Sequence, residues 1–335
     1  ILVTGGTGLV GSHLLLKLVQ QGKEIRATYR KGSDLERVKI IFSYYSKNAV
    51  ELFDTIQWIE ADLNDIPKLT LAFKDITHVY HCAAYISFDP SDYKKLRNIN
   101  IKGTANIVNL CISNAIKKLC YVSSVATLGH HSKSINEETY WSGNQDQSVY
   151  AISKYGAEME VWRGTQEGIP AVIVNPGVII GPGFWNTGSG LLFKLAYKGQ
   201  SYAAKGITAY VDVKDVVLAM TQLMDSSIEN ERYILASANV SYQEIMSMIC
   251  KALHVKSPKK VASKVILSIG WRADWLFSKI LRRKRRLTKQ LAKTLLKKSF
   301  YSSDKIQQDL KGFEWTPITE SVSATCRFYL EKVGS

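Results

Sequence analysis

The sequence predicts an α/β protein built on a doubly wound parallel sheet, with a smaller, mainly helical C-terminal lobe. Short apolar runs alternate with amphipathic helical stretches from the first residue, a glycine-rich turn joins the first run to the first helix, and the alternation stops after Pro176. With 335 residues, 46% of them hydrophobic, the chain can bury a large core.

The expected strands are Ile1 to Thr4, Glu24 to Tyr29, Ile56 to Glu60, His78 to Cys82, Leu119 to Ser123 and Ala171 to Asn175. Between them the pattern predicts helices over Leu9 to Gln21, Leu35 to Ser46, Ile66 to Lys74, Tyr93 to Asn114 and Val149 to Gln166. Gly22 and Gly168 stand where helix C-terminal stops belong. Past Pro176, closely spaced glycines from Gly177 to Gly190 mark a loop leaving the sheet. Residues 1–175 thus form the expected sheet domain and 176–335 the lobe, with 207–225 returning to the sheet.

The five cysteines are odd in number and lack C-x-x-C spacing, which argues against a disulfide framework or zinc site and for a reducing, cytoplasmic compartment. His130 and His131 are adjacent, so their side chains diverge, and no metal site is expected. Ile1 already falls in a predicted strand, so the start of the natural chain is expected to be missing and no signal segment fits within these residues, and no apolar run reaches eighteen residues. Sixteen of the 44 Lys and Arg but one of the 29 acids fall between residues 251 and 300, so the +15 net charge sits in one segment on a neutral body.

Thr4-Gly5-Gly6-Thr7-Gly8-Leu9-Val10-Gly11 follows a strand and opens a helix, the context in which such a motif binds a dinucleotide. Gly5 permits the turn, Gly8 lets backbone approach a pyrophosphate, and Gly11 lets the helix pack closely. Unpaired N–H groups at the helix start then face the phosphates. An NAD site ordinarily ends its second strand with Asp or Glu for the ribose 2′-OH. Here the strand ends Tyr29-Arg30-Lys31, and Arg30, supported by Lys31 and Arg37, suits a 2′-phosphate. The expected cofactor is NADP, with NAD the alternative.

Tyr150 and Lys154 are four residues apart, one helical turn on the same face. A nearby cation favours the phenolate and makes Tyr150 a usable general acid or base. The end of the preceding strand supplies a hydroxyl to polarise a carbonyl, and strand alternation favours Ser124 over Ser123.

These pieces occur in the order seen in the extended short-chain dehydrogenase/reductases, which the chain resembles over nearly its whole length. The shared motifs are the glycine turn, Ala61-Asp62-Leu63, His81-Cys82-Ala83-Ala84, Asn100 to Thr104, Ser123-Ser124, Tyr150 to Lys154, Asn175-Pro176-Gly177-Val178 with Gly181-Pro182, and Tyr210 to Asp215. The resemblance implies a Rossmann fold in which Asp62 and Leu63 flank the adenine, Ala83 and Ala84 line the cofactor, and Pro176 and Val178 border the nicotinamide. It also implies that Lys154 holds the nicotinamide ribose and that Asn100 is structural or part of a proton path. The chain looks most like the dihydroflavonol-reductase and 3β-hydroxysteroid-dehydrogenase-like branch, implying hydride exchange with a small carbonyl or alcohol substrate. The competing expectations are a nucleotide-sugar epimerase and a cofactor-sensing binding protein. The family often forms homodimers.

Residues 264–286 run from apolar and aromatic residues into Arg282-Arg283-Lys284-Arg285-Arg286. The common use of such a pattern is a lobe helix packing its apolar face on the body. The alternative is a peripheral contact with an anionic membrane, while nucleic acid is not expected, since no recognition motif accompanies the charge.

Overall fold

The computed structural model describes residues 1–129, 134–141, 143, 147–281, 285 and 287–334. His130 and His131 lie outside the described residues, as do Arg282, Arg283, Lys284 and Arg286 of the cationic run.

Six strands come in chain order as expected: β1 (Leu2–Thr4), β2 (Arg26–Tyr29), β3 (Gln57–Glu60), β4 (His78–His81), β5 (Lys118–Val122) and β6 (Ala171–Pro176). Six more belong to the second half: β7 (Val178–Ile180), β8 (Tyr202–Ala203), β9 (Ile207–Asp212), β10 (Glu231–Leu235), β11 (Ala238–Ser241) and β12 (Lys260–Val261). The main sheet has seven parallel strands in the order β10-β6-β5-β4-β1-β2-β3. Strand order reverses between β1 and β4, which opens a crevice at their carboxyl ends where such sheets bind ligands. Thr4 is in register with His81, and His81 with Tyr121, so the strand ends bordering that crevice are level.

Helices cover both faces, because parallel strands are buried on both sides. On one face Leu14, Leu15, Phe42 and Val216 fill the core; on the other, Leu69, Ile107, Val108 and Val161 do. A separate lobe core gathers Phe193, Tyr210, Ile245 and Val322.

The return to the main sheet differs from the expected one. β9 pairs with β7 and β11 in a three-stranded sheet, and β10 supplies the seventh main strand, beyond 207–225. Within that range the helix Val213–Asp225 packs on the main core through Val216, Ala219, Met220 and Leu223, and β9 adds Val211 to it. The glycine-rich stretch after Pro176 also holds a strand, β7, before the loop begins.

The expected helix over Tyr93 to Asn114 is three pieces: Tyr93–Leu96, a π-helical turn Arg97–Lys102, and Gly103–Ser113. π turns insert a residue into the helical ladder and often occur at functional sites. This one contains Asn100, buried.

Lys118 ties β5 to the end of the helix Val213–Asp225. Its buried ammonium donates to the carbonyl oxygens of Leu223 at 2.7 Å and Ser226 at 2.8 Å, a cation where helix carbonyls lack partners. Lys118→Met keeps the buried stem but removes both charge-assisted bonds. Its expected cost is about 1.5 to 3 kcal/mol, measured as a lower urea midpoint with unchanged m-value.

Candidate active site at the sheet switch point

The glycine turn is fixed by contacts that exclude a side chain. Gly5 has φ +72°, and a Cβ there would sit 2.6 Å from the Ala83 nitrogen. A Cβ on Gly11 would lie 2.1 Å from the Gly5 carbonyl oxygen, so the helix packs on the turn itself as well as along the strand. A Cβ on Gly8 would meet little beside that same oxygen, at 3.3 Å. Gly8 caps the helix Leu9–Gln20 without a side-chain acceptor, leaving the amides of its first turn for another acceptor. Thr7 and Leu9 are partly exposed beside it, while Val10 points into the core. A constricted turn, an open Gly8 and an uncapped helix start fit a dinucleotide pyrophosphate.

Arg30 and Lys31, both exposed, line one cavity of about 460 Å³ with Glu60, Asp62, Asp65 and Lys68. Lys68 lies 3.4 Å from Glu60 and 3.7 Å from Asp65. Asp62 accepts from the Asn64 amide at 2.9 Å and turns the chain after β3. Leu63 is buried against Gly103, where a Cβ would come within 2.8 Å of it. Arg37 does not line this cavity: it pairs with Asp34 at 2.8 Å and lies over the Phe184 ring. Ala83 and Ala84 follow β4 at the crevice, Ala83 against Gly5 and Ala84 exposed. Pro176 ends β6, buried, and Val178 is partly buried in β7.

Ser148 caps the helix Val149–Gln166, accepting from the Ala151 amide at 3.0 Å, and so starts the turn that carries Tyr150 and Lys154. Burial pushes the Tyr150 phenol up to about 12, opposed by its hydrogen bond with the Ser124 side chain. Ser124, the strand-end hydroxyl favoured by alternation, is thus the one beside Tyr150. Ser123 turns the other way and donates to Glu158 at 2.5 Å. The Phe88 ring closes over Tyr150 with centroids 5.5 Å apart.

Burial lowers the Lys154 ammonium to about 7, opposed by Glu158 and Cys82. Its Nζ donates to the Tyr121 hydroxyl at 2.6 Å and the Val122 carbonyl at 2.8 Å. Tyr121 is hydrogen-bonded in turn to Thr104. Thr104 meets His81 at 3.0 Å and His81 meets Thr4 at 2.6 Å, so a buried polar chain runs from Lys154 to the start of the glycine turn. The direct electrostatic aid from Lys154 to Tyr150 expected from their spacing does not dominate here: Lys154 is anchored to β5, and burial governs both groups.

Asn100 accepts from the Tyr85 amide at 2.7 Å and donates to the Tyr85 carbonyl and Ser153 hydroxyl, both at 2.9 Å. It joins the loop after β4 to the Tyr150 helix, since Ser153 itself donates to the Tyr150 carbonyl at 2.8 Å.

The residue sequence reasoning missed is Glu158, one turn past Lys154 and fully buried. It accepts from Ser123, from Thr127 at 2.8 Å and from Asn175 at 2.9 Å, and pairs with Arg232 at 3.1 Å. Its signal was an acid four residues beyond Lys154 on the same helical face. Of the loop aromatics, Trp185 packs on Phe193 and Tyr329 in the lobe core, and Trp141 stacks on Tyr155. All five cysteines are free thiols, and no cluster among the described residues can hold a metal ion.

Two substitutions test this arrangement. Glu158→Leu removes the carboxylate that Arg232, Ser123, Thr127 and Asn175 share and leaves the guanidinium with the Glu137 carbonyl alone, at an expected cost of about 3 to 5 kcal/mol in chemical denaturation. Gly11→Ala is expected to abolish nucleotide binding in calorimetry because the added methyl has no room. The comparison is Gly22→Ala, at φ +69° with nothing within 4 Å, which should bind normally and lose about 1 kcal/mol of stability.

Comparison with known proteins shows the family and the shared fold. The family model described as NAD dependent epimerase/dehydratase family matches residues 1–236. A Synechocystis protein named "Putative dihydroflavonol 4-reductase" is 30% identical, covering 83% of this chain and 79% of its own. Cinnamoyl-CoA reductase 1 of Petunia hybrida is 26% identical over 75% of this chain and 76% of its own. Among solved structures, UDP-glucose 4-epimerase of Thermus thermophilus, a complex with NAD, superposes with TM-score 0.73 at 22% identity, covering 98% of each chain, which shows a shared fold. With a family match over most of its length, a seven-stranded parallel sheet and a nucleotide-fitting glycine turn, the chain belongs to the NAD-dependent epimerase/dehydratase family of enzymes.

Proposed function

We propose that the protein is an NADP-dependent oxidoreductase that reduces a ketone or aldehyde, or oxidises the corresponding alcohol. The observation that carries this reading is the pairing of the Ser124 hydroxyl with the Tyr150 phenol at the crevice, together with Arg30 and Lys31 where an NAD site has an acid. The reductases among its relatives support it.

The glycine turn would hold the pyrophosphate, Arg30 and Lys31 the 2′-phosphate, Asp62 and Leu63 the adenine, and Ala83, Ala84, Pro176 and Val178 the nicotinamide half. Arg37, held by Asp34, would contribute only long-range charge. When bound, the nicotinamide supplies or accepts the hydride. Ser124 donates to the substrate carbonyl oxygen and Tyr150 passes it a proton. Lys154, fixed by Tyr121 and Val122, would hold the nicotinamide ribose. Asn100 and Ser153 hold the helix turn that aims Tyr150.

A nucleotide-sugar epimerase would instead retain NAD and return the hydride within one turnover. Identifying the nucleotide carried by the purified protein separates the two: tightly held NAD without net redox activity sinks the reductase reading, whereas NADPH consumed with a ketone or aldehyde supports it. In such an assay Tyr150→Phe should lower kcat about 100- to 10,000-fold, and Arg30→Ala should weaken NADPH binding about tenfold or more while sparing NADH. The pH dependence follows from Lys154. Its proton is held below pH 7 and lost above it, so kcat/KM for reduction should fall as pH rises through about 7, and Lys154→Met should flatten that limb.

A further inference from the structure

The helix Lys264–Ile280 shows its apolar side to solvent. Ser263 caps it through the Ile266 amide, and successive residues then advance about 100° around the axis. One arc of about 120° holds Val265, Ile266, Ile269, Leu276, Phe277 and Ile280, and all six are exposed, Val265, Ile269 and Ile280 by 66, 64 and 65%. The opposite arc meets the body through Leu267, Asp274 and Ser278. An ordinary lobe helix buries its apolar stripe and solvates its polar one; here Leu267 and Trp271 pack in a small satellite cluster while the larger apolar arc faces solvent, so the expectation of an apolar face packed on the body holds for the smaller face alone. Beside the exposed arc lie Arg272 and Lys279, both solvent-facing. Arg272 lies over the Trp271 ring and Lys279 over the Trp275 ring, 4.4 and 4.3 Å from their centroids.

We infer that this helix is a docking surface for an anionic lipid bilayer, lying in the interface with its apolar arc among the acyl chains. Charge selects this occupant over a second copy of the chain. Sixteen Lys and Arg against one acid fall between residues 251 and 300, so two copies meeting face to face would bring like charges together, whereas anionic headgroups neutralise them. An outward apolar arc flanked by cations and aromatic rings is the pattern of interfacial helices. Among the described residues no helix is long and apolar enough to cross a membrane, so the contact is peripheral. The inference does not rest on the hydride chemistry and can fail independently of it.

The test is flotation of the full chain with vesicles of phosphatidylcholine alone or with about a third phosphatidylglycerol, with melting temperature and size-exclusion mass recorded for every variant. The expected result is binding to the anionic vesicles alone, weakened by salt. Ile269→Glu with Phe277→Glu should abolish it at an unchanged melting temperature, because neither side chain is packed in the core. Arg272→Ala and Lys279→Ala should each lower partitioning about fivefold. Failure to bind either vesicle overturns the inference. So does binding that survives Ile269→Glu with Phe277→Glu, or an oligomer that these two changes dissociate while vesicle binding is absent.

Discussion

The helix Val149–Gln166 buries Lys154 and Glu158 on one side of a single turn, and the site depends on both being satisfied there. Desolvating two charges costs several kcal/mol each unless hydrogen bonds replace water. Lys154 finds Tyr121 and the Val122 carbonyl; Glu158 finds Ser123, Thr127, Asn175 and Arg232. These partners come from β5, the turn after it, β6 and β10, so the helix cannot slide or rotate without breaking contacts to three strands. Tyr150, at its N-terminal end, inherits that rigidity. The role of Glu158 is therefore to position the helix; it sits behind the site rather than in it.

The same logic of close approach governs the other end of the crevice. Gly11 touches the Gly5 carbonyl, Gly5 touches Ala83, and Gly156 and Gly164 admit Ile101 and Val108 between helices. Each contact brings a backbone nearer than a side chain allows. Together they set the distance between the start of the helix Leu9–Gln20 and the turn bearing Tyr150. The chain of hydrogen bonds through Thr4, His81, Thr104 and Tyr121 spans that gap inside the protein.

Much of this was legible in the sequence because strand runs, glycines and caps are local signals. The six N-terminal strands and the helix Val149–Gln166 fall within a residue or two of their expected positions. That helix was readable with Gly168 as its stop, although its buried face mixes Ser153, Lys154 and Glu158 with Ala151, Ala157 and Val161. The π turn was not readable: its extra residue serves Asn100, whose partners lie on the loop after β4 and on another helix. β10 was also missed. It is five residues whose polar start, Glu231 and Arg232, pairs with Lys305 and Glu158 from other elements, and only tertiary contact makes that stretch a strand. Arg37 had the right charge and the wrong partner, a local Asp34 that spacing alone did not weigh.

The C-terminal lobe obeys a different balance from the body. Its helix Lys264–Ile280 rests on a small satellite core of Ala262, Leu267 and Ala292 with Trp271, Leu287, Leu295 and Leu296 beside it. The acid within that charged stretch, Asp274, accepts from the Leu287 amide at 3.0 Å and so helps hold the chain between two helices. Sixteen Lys and Arg share that stretch of sequence with this one acid, so like charges repel along it, a cost that solvent ions or an anionic surface reduces. Outward-facing Val265, Ile269 and Ile280 add a second cost, apolar area left in water. Both costs fall on one face, and a single contact that is anionic at its surface and apolar beneath removes both. The lobe also reaches the site from its other side: Thr288, which caps the next helix, donates to the Phe88 carbonyl, and the Phe88 ring packs on Tyr150. The lobe's position is thus coupled to the aromatic wall of the site through one hydrogen bond and one ring contact.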